Sequence, residues 1–198
     1  MKFGHFDDSA REYVIETPQT PYPWINYLGT QNFFSLISNT AGGYSFYKDA
    51  RLRRITRYRY NNVPCDAGGR YFYINDGKKV FTPGFLPVKT PYESYSCRHG
   101  LGYTKITGKY NDISSSVTYC VPLGKRYELW NVVLKNEGDK TKKLKVYSYV
   151  EFSWNDAKYD MLAHWPCMAL RSDFDGKKIM VDTVAEQLTG IPQYDYIA

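Results

Sequence analysis

LGYTKITGKYNDISSSVTYCV, residues 101–121, contains two runs rich in β-branched and aromatic residues on either side of a polar turn. Such residues favour strands, because their side chains pack well on a pleated sheet. The segments 101–109 and 113–121 flank Tyr110–Asn111–Asp112, and Asn and Asp are residues that tight turns favour. The stretch therefore predicts an antiparallel β-hairpin.

Strand-like segments continue beyond this hairpin. Residues 126–135 alternate, with Glu128, Trp130, Val132 and Leu134 on the face opposite Tyr127, Leu129, Asn131 and Val133. Segment 143–152 follows a polar turn, and a last pair of runs, 167–174 and 178–184, brackets the turn signal Asp175–Gly176. Helical periodicity is almost absent. Short strands separated by Gly, Asn and Asp turns predict an all-β sandwich or barrel.

The composition fits one globular domain. The 198 residues lie within the range of about 100–200 for a single domain, and the hydrophobic and charged fractions, 43% and 23%, are ordinary. Aromatic residues reach 17%, with 20 tyrosines. We expect most of these rings in the sheet core and a handful in contact with a ligand. An aromatic face covers the C–H face of a sugar, and a phenol can also hydrogen-bond.

The net charge of +6 has one local concentration, at residues 51–60 (RLRRITRYRY). The alternation predicts a strand with Arg53, Ile55, Arg57 and Arg59 on one face. Interleaved Arg and Tyr can hold nucleic acid, a phosphate or carboxylates of a partner domain. No RNA-binding aromatic motif or long basic flank accompanies the segment. We therefore favour an interface or salt-bridge role and expect no nucleic-acid partner.

The cysteines, at positions 65, 97, 120 and 167, are widely spaced and form no CxxC pair. Neither they nor the three histidines have the spacing of a metal site, so no metal or other cofactor is expected. The N-terminus lacks the apolar region of an export signal, which favours reduced thiols and a cytoplasmic location. No apolar run approaches about 18 residues, so no membrane partner is expected.

No pair of carboxylates stands out for acid–base chemistry. Nine acidic residues could in principle act on a glycoside, but their spacing selects none, and a structural role is expected for each: Asp7, Asp8, Glu12, Asp66, Asp76, Glu93, Glu151, Asp156 and Asp160. His99 is expected to be a hydrogen-bonded turn residue. The sequence thus assigns no catalytic residue.

Longer runs carry a resemblance to a known family. GHFDDSAREYVIETPQTPYPWINYLGT (4–30), FFSLISNTAGGYSFYKDARLRRITRYRYNNVPCDAGGRYFYIND (33–76), RHGLGYTKITG (98–108) and YVEFSW (149–154) closely resemble the N-terminal domain of the cellobiose phosphorylase group of glycoside hydrolase family 94. The likeness is near-continuous from residue 1 to about residue 152, so it is far more specific than any short motif.

The resemblance implies an antiparallel two-sheet super-sandwich, galactose mutarotase-like, here incomplete at its C-terminal end across residues 1–198. Family members are cytoplasmic homodimeric glycosyltransferases that split β-linked sugars with inorganic phosphate as co-substrate, inverting the anomeric centre. Only one carboxylic acid is then needed to protonate the leaving oxygen. In the family that acid lies in a later (α/α)₆ barrel, which this chain lacks. The expected partners are the barrel domain, a second subunit and a β-linked gluco-oligosaccharide.

The resemblance also implies site residues. A family tyrosine that contacts the acceptor sugar falls on Tyr47, although a packed strand tyrosine is the alternative. A family Gln–Arg pair is replaced here by Trp165 and Pro166, within Ala163–Cys167. His164 and Trp165 are therefore further candidates for substrate binding, and Trp165 either stacks on sugar or is buried. This departure leaves laminaribiose, a cellodextrin or another β-glucoside as compatible as cellobiose.

Two functions follow from these observations. The first is the scaffold, dimerisation and acceptor-site domain of an inverting β-glucoside phosphorylase, with catalysis absent from this chain. The second is a stand-alone carbohydrate-binding module, favoured by the high content of Tyr and Trp.

Overall fold

A computed structural model describes residues 3–58, 68–153, 156–162, 170–183 and 196–197 of the chain. Within these residues the chain forms fifteen strands and one short helix. In chain order they are β1 (Gly4–Asp7), β2 (Glu12–Ile15), β3 (Ile25–Thr30), β4 (Phe33–Ser38), β5 (Gly43–Tyr47), β6 (Arg70–Asn75), β7 (Val80–Phe81), β8 (Ser94–His99), β9 (Tyr103–Tyr110), β10 (Ile113–Cys120), β11 (Leu129–Asn136), β12 (Lys145–Val150), α1 (Ala157–Leu162), β13 (Leu170–Phe174), β14 (Ile179–Thr183) and β15 (Tyr196–Ile197).

The strands form one large antiparallel sheet and three small ones. The large sheet has the order β1-β2-β8-β9-β10-β11, and the small sheets are β3-β4-β5, β12-β6-β7 and β13-β14-β15. One core joins the large sheet to strands of the first two small sheets; its buried members include Ile15, Leu28, Phe33, Ile37, Tyr71, Cys97, Ile106, Val117 and Tyr119. Because the sheets bury their apolar faces against one another, the fold is a layered β-sandwich. The predicted antiparallel all-β sandwich is confirmed.

The predicted hairpin forms as β9 and β10, joined by Asn111 and Asp112. Both turn residues have positive φ, 50° and 58°, as a two-residue type I′ turn requires. Along β10 the buried side chains alternate strictly with half-buried ones. The turn and the buried face therefore fix the same register.

The other predicted strands are present with shifted ends. The 126–135 run becomes a strand only from Leu129, and the 143–152 run is a strand between residues 145 and 150. The last two runs form β13 and β14 around Gly176, whose φ of 90° suits a glycine in a tight turn.

The strand predicted over residues 51–60 is wrong for the described part, residues 51–58. Asp49 Oδ1 accepts hydrogen bonds from the backbone N–H groups of Arg51 and Leu52, at 2.8 and 2.7 Å. These bonds hold a turn, and the segment beyond it forms only isolated bridges, at Arg54 and Thr56. A local side chain–backbone bond therefore overrides the alternating pattern.

The salt-bridge role expected for the basic segment is confirmed. Arg57 Nη2 lies 2.5 Å from Asp160 Oδ1, and Arg51 Nε lies 3.6 Å from Asp156 Oδ1. Asp160 lies in helix α1, and Asp156 is the residue just before it. The sequence pattern predicted strands and did not predict this helix. The ion pairs therefore hold the helix against the basic segment.

Candidate functional site

Tyr47, the residue singled out for sugar contact, is the last residue of β5. It pairs with Phe33 of β4, and its backbone N–H donates to the Arg53 carbonyl at 3.0 Å. The next residue, Lys48, has a φ of 63°, so the chain turns away immediately after the tyrosine. The ring is half-buried, which leaves part of it open to a ligand.

Three cationic side chains surround the Tyr47 ring. Arg126 Cζ lies 5.1 Å from the ring centroid, Lys48 Nζ 5.4 Å and Arg53 Cζ 5.9 Å. Each distance is within the range of about 6 Å for a favourable cation–π contact. We call these four residues, Tyr47, Lys48, Arg53 and Arg126, the Tyr47 patch. It combines a half-buried aromatic ring with three positive charges within 6 Å of the ring centroid.

Two residues beyond Arg126, Glu128 forms a buried ion pair with Arg70 of β6. Arg70 Nε is 2.5 Å from Glu128 Oε1, and the two side chains are 0% and 6% exposed. The Ser45 hydroxyl of β5 donates to Glu128 Oε2 at 2.6 Å, and Arg70 Nη2 donates to the Ser35 hydroxyl at 2.5 Å. A buried charge is tolerated when it is paired and hydrogen-bonded in this way.

This buried network anchors the segment 122–128. The tip of the segment is a turn in which the Lys125 N–H donates to the Pro122 carbonyl at 3.1 Å, with Gly124 at a φ of 70°. The base is held through Glu128, two residues after Arg126. The network therefore fixes the chain that carries Arg126 above β5 and Tyr47.

The sequence signal for this network is the carboxylate of Glu128 on an otherwise apolar strand face, and the strand prediction did not use it. Glu128 was placed on the same face as Trp130, Val132 and Leu134, and those three side chains do pack against the core. A carboxylate at the start of an apolar face needs a buried cation. Arg70, more than fifty residues earlier, could not be identified as that cation from spacing.

The other two predicted contact residues, His164 and Trp165, lie outside the described residues. So do Cys65 and Cys167, whereas Cys97 and Cys120 are free thiols. In the part of the chain that the structure describes, no group of three His, Cys, Asp or Glu is placed to hold a metal ion. None of the helical residues described there forms a segment of the length and apolar character that crossing a membrane requires.

The described carboxyls that have a displaced pKa are all displaced downward, because neighbouring groups hydrogen-bond the charged form: Asp7, Glu12, Asp49, Asp76 and Asp175. A general acid at neutral pH needs the opposite displacement. The groups displaced upward include buried tyrosines, such as Tyr95, whose hydroxyl donates to the Asn39 carbonyl. Burial raises the pKa of this phenol and keeps it a hydrogen-bond donor.

A second candidate site is a cleft of about 810 Å³ beside β1, β2 and the end of β8. Four aromatic side chains line it, Phe6, Tyr13, Trp24 and Tyr27. Two of its three carboxylates are engaged within the protein: Glu12 accepts hydrogen bonds from Arg98 and from the Tyr103 hydroxyl, and Asp7 accepts one from Arg98. The cleft is therefore aromatic, with few unsatisfied charges.

His99, expected in a turn, is instead the last residue of β8, at the floor of this cleft. Its Nε2 lies 3.1 Å from the Trp24 carbonyl and its Nδ1 lies 2.9 Å from the Thr104 hydroxyl. Burial lowers the pKa of His99, which favours the neutral ring. A neutral ring with Nε2 donating to the carbonyl accepts from Thr104 at Nδ1. The expected hydrogen-bonded role is confirmed, and the expected turn location is wrong.

Comparison with known proteins identifies relatives of this architecture. The family model described as glycosyl hydrolase 94, supersandwich domain, matches residues 11–180. The chain is 40% identical over 168 residues to an N,N'-diacetylchitobiose phosphorylase of Vibrio proteolyticus. The aligned region covers 83% of this chain and 21% of the relative.

Two further relatives come from Paenibacillus borealis. A solabiose phosphorylase is 36% identical over 154 residues, covering 76% of this chain and 20% of its own length. A 3-O-beta-D-glucopyranosyl-beta-D-glucuronide phosphorylase is 36% identical over 148 residues, covering 74% of this chain and 18% of its own length. The chain thus spans about a fifth of the length of these curated relatives.

Proposed function

The chain belongs to the glycosyl hydrolase 94 supersandwich family, and from that premise we propose that it is the N-terminal scaffold and acceptor-site domain of an inverting β-glycoside phosphorylase. The observation that carries the proposal is the half-buried Tyr47 ring, whose surroundings are held by a buried ion pair. A phosphorylase acceptor site needs a fixed aromatic surface, because the sugar must be positioned accurately before bond formation.

In this proposal the chain binds and orients sugar, and the chemistry belongs to a separate catalytic domain. Phosphate attacks the anomeric carbon, the glycosidic bond breaks, and a carboxylic acid of the catalytic barrel protonates the leaving oxygen. The products are an α-sugar 1-phosphate and the released acceptor. The lowered pKa values of Asp7, Glu12, Asp49, Asp76 and Asp175 support placing the acid elsewhere.

The substrate class is proposed from the relatives. They are named for chitobiose, solabiose and a glucosyl glucuronide, so the family likeness supports the class of β-linked disaccharides and oligosaccharides rather than one sugar. We further propose that the parent protein is a cytoplasmic homodimer in which this domain helps to wall the active site of the neighbouring subunit. His164 and Trp165 remain proposed contacts of that site.

The test uses the full-length protein in the synthetic direction, from a sugar 1-phosphate and an acceptor. Removing the ring with Tyr47→Ala should raise the acceptor KM by about tenfold, since an aromatic contact contributes roughly 0.5–1.5 kcal/mol. Tyr47→Phe should retain most of the affinity. The matched control is Tyr27→Ala, which removes a 63% exposed tyrosine from the cleft. If the acceptor KM of Tyr47→Ala were unchanged, the proposed acceptor role of Tyr47 would be wrong.

The aromatic cleft favours a second candidate, a stand-alone carbohydrate-binding module. It predicts that the 198-residue chain binds cello- or laminari-oligosaccharides by calorimetry and that Tyr27→Ala abolishes the heat of binding. The phosphorylase proposal predicts no phosphorolysis by this chain alone, because the acid is elsewhere. Measurable turnover of a β-disaccharide by the isolated chain contradicts it.

A further inference from the structure

We propose that the Tyr47 patch recognises an oxyanion, so that the acceptor taken by this domain carries a carboxylate or phosphate group beside the sugar ring that lies on Tyr47. The inference rests on the proposed acceptor role of Tyr47 and adds the charge of the ligand. Its basis is the convergence of three cations on one half-exposed ring.

Four arginines elsewhere in the protein provide the comparison for this inference. Arg51, Arg57, Arg70 and Arg98 each face a carboxylate, at 3.6, 2.5, 2.5 and 2.6 Å. Across the described ranges, Arg126 and Lys48 form no ion pair of this kind. The Tyr47 patch thus gathers positive charge and leaves these two cations without an anionic partner among the residues that the structure describes.

The acids nearest along the chain are committed to other groups. Glu128 lies two residues from Arg126, but its two oxygens contact Arg70 and the Ser45 hydroxyl. Asp49 directs Oδ1 to two backbone N–H groups, and those bonds hold the pKa of its carboxyl below the usual value. Neither carboxylate forms an ion pair with Arg126 or Lys48 among the described residues.

The arrangement suits an anion attached to a sugar. An aromatic ring alone binds the C–H face of a neutral pyranose, whereas neighbouring guanidinium and ammonium groups bind oxyanions by charge-assisted hydrogen bonds. Arginine presents a planar fork that matches a carboxylate or phosphate. Because the buried Glu128 anchor fixes the backbone near Arg126, less ordering is required when the anion binds.

The first experiment measures binding by the full-length protein with isothermal calorimetry. The probes are glucuronate, glucose and inorganic phosphate, so that a sugar carboxylate, a neutral sugar and a free oxyanion are compared. We expect glucuronate or phosphate to bind at least about tenfold more tightly than glucose, as a charge-assisted hydrogen bond would provide. The affinity should fall as sodium chloride screens the charges. Preference for glucuronate identifies a sugar acid. Because inorganic phosphate is also the co-substrate of the proposed catalytic domain, only the phosphate binding that is lost in Arg126→Gln identifies a phosphate group at the Tyr47 patch.

The variant test uses Arg126→Gln, with Arg126→Lys as the charge-conserving form and Lys78→Gln as a control that removes an exposed positive charge elsewhere. Arg126→Gln should weaken anion binding by about tenfold and leave glucose binding unchanged. Lys78→Gln should have no effect on either ligand. Equal binding of glucuronate, phosphate and glucose, or equal losses in Arg126→Gln and Lys78→Gln, would overturn the proposal.

A separate readout distinguishes this inference from the acceptor role itself. If Tyr47→Ala changes the acceptor KM but the three probes bind alike, the acceptor role stands and the oxyanion preference is wrong. If anions bind through Arg126 but Tyr47→Ala leaves the acceptor KM unchanged, the patch is an anion site without an acceptor role, and the inference of a charged acceptor fails.

Discussion

Two arginine–carboxylate networks in this protein differ chiefly in their access to water. Arg70 and Glu128 are buried between β5, β6 and the 122–128 segment, where each also contacts a serine hydroxyl and Arg70 Nη1 has no hydrogen-bond partner among the described residues. Arg98 reaches Asp7 and Glu12 at the cleft, where the Arg98 and Asp7 side chains are 39% and 28% exposed and that of Glu12 is 7% exposed. In the interior each of the two charges needs the other, since an unpaired buried charge is costly. At the cleft, water can reach the network through the partly exposed Arg98 and Asp7 side chains.

The largest effect is expected from Arg70→Met, which leaves Glu128 charged and unpaired in the interior. We expect a loss of about 3–5 kcal/mol in the free energy of unfolding, measured by urea denaturation followed by circular dichroism. The double variant Arg70→Met/Glu128→Leu removes both charges and should recover most of the loss. If Arg70→Met alone were as stable as the wild type, the ion pair would not be buried.

A smaller effect is expected when the buried pair is kept and one of its hydrogen bonds is removed. Ser45→Ala deletes the hydroxyl that donates to Glu128, and should cost about 1.5–3 kcal/mol, the range for a hydrogen bond to a charged group. The matched control is Ser114→Ala, which changes a half-buried serine of β10 and should alter stability little. Equal unfolding midpoints for the two variants would show that the Ser45 bond contributes nothing.

The smallest effect on stability at neutral pH is expected at the network of Arg98, Asp7 and Glu12. There the informative measurement is how stability depends on pH. Hydrogen bonds from Ser9, then from the Ala10 N–H and Arg98, lower the pKa of Asp7 to about 2, and the Tyr103 hydroxyl is the main cause that lowers the pKa of Glu12. Both carboxyls have a lower pKa folded than unfolded. Their contribution to stability is therefore present above about pH 4, the unfolded value, and is lost as pH falls towards 2.

Arg98→Gln tests this pH dependence. Without the guanidinium, the pKa of Asp7 and Glu12 should rise in NMR titrations, and the loss of stability between about pH 4 and 2 should become shallower. Arg11→Gln, in an exposed turn beside the same cleft, should leave both pKa values in place. Unchanged titration curves in Arg98→Gln would contradict the network.

The sequence predicted local structure better than long-range partnership. The hairpin at 103–120 followed from its turn residues and alternation, because both are encoded within about twenty residues. The pairing of β2 with β8 depends on segments about eighty residues apart. No local pattern specifies such a pairing. The start of β11 at Leu129 likewise depends on its partner strand, since Leu129 pairs with Cys120, the last residue of β10.

The candidate site was predicted in part. Tyr47 was identified through a family resemblance, and the structure adds Arg126, Lys48 and Arg53 around its ring. Alternation placed Arg126 at the start of a strand, whereas it lies in the segment before β11. The 51–58 segment failed as a strand because the Asp49 carboxylate captures backbone N–H groups, a competition that hydrophobic periodicity does not register.

The 122–128 segment combines a fixed base at Glu128 with an exposed tip at Leu123 and Gly124. The residues that stabilise the segment are thus different from the residues at its exposed tip, so the two sets can change independently during evolution. Sequence changes at the tip act on solvent-exposed positions, where substitutions usually alter stability little. Under the proposed acceptor role, a protein engineer would graft tips from related enzymes onto this base to test for altered ligand preference while Glu128, Arg70 and Ser45 remain unchanged.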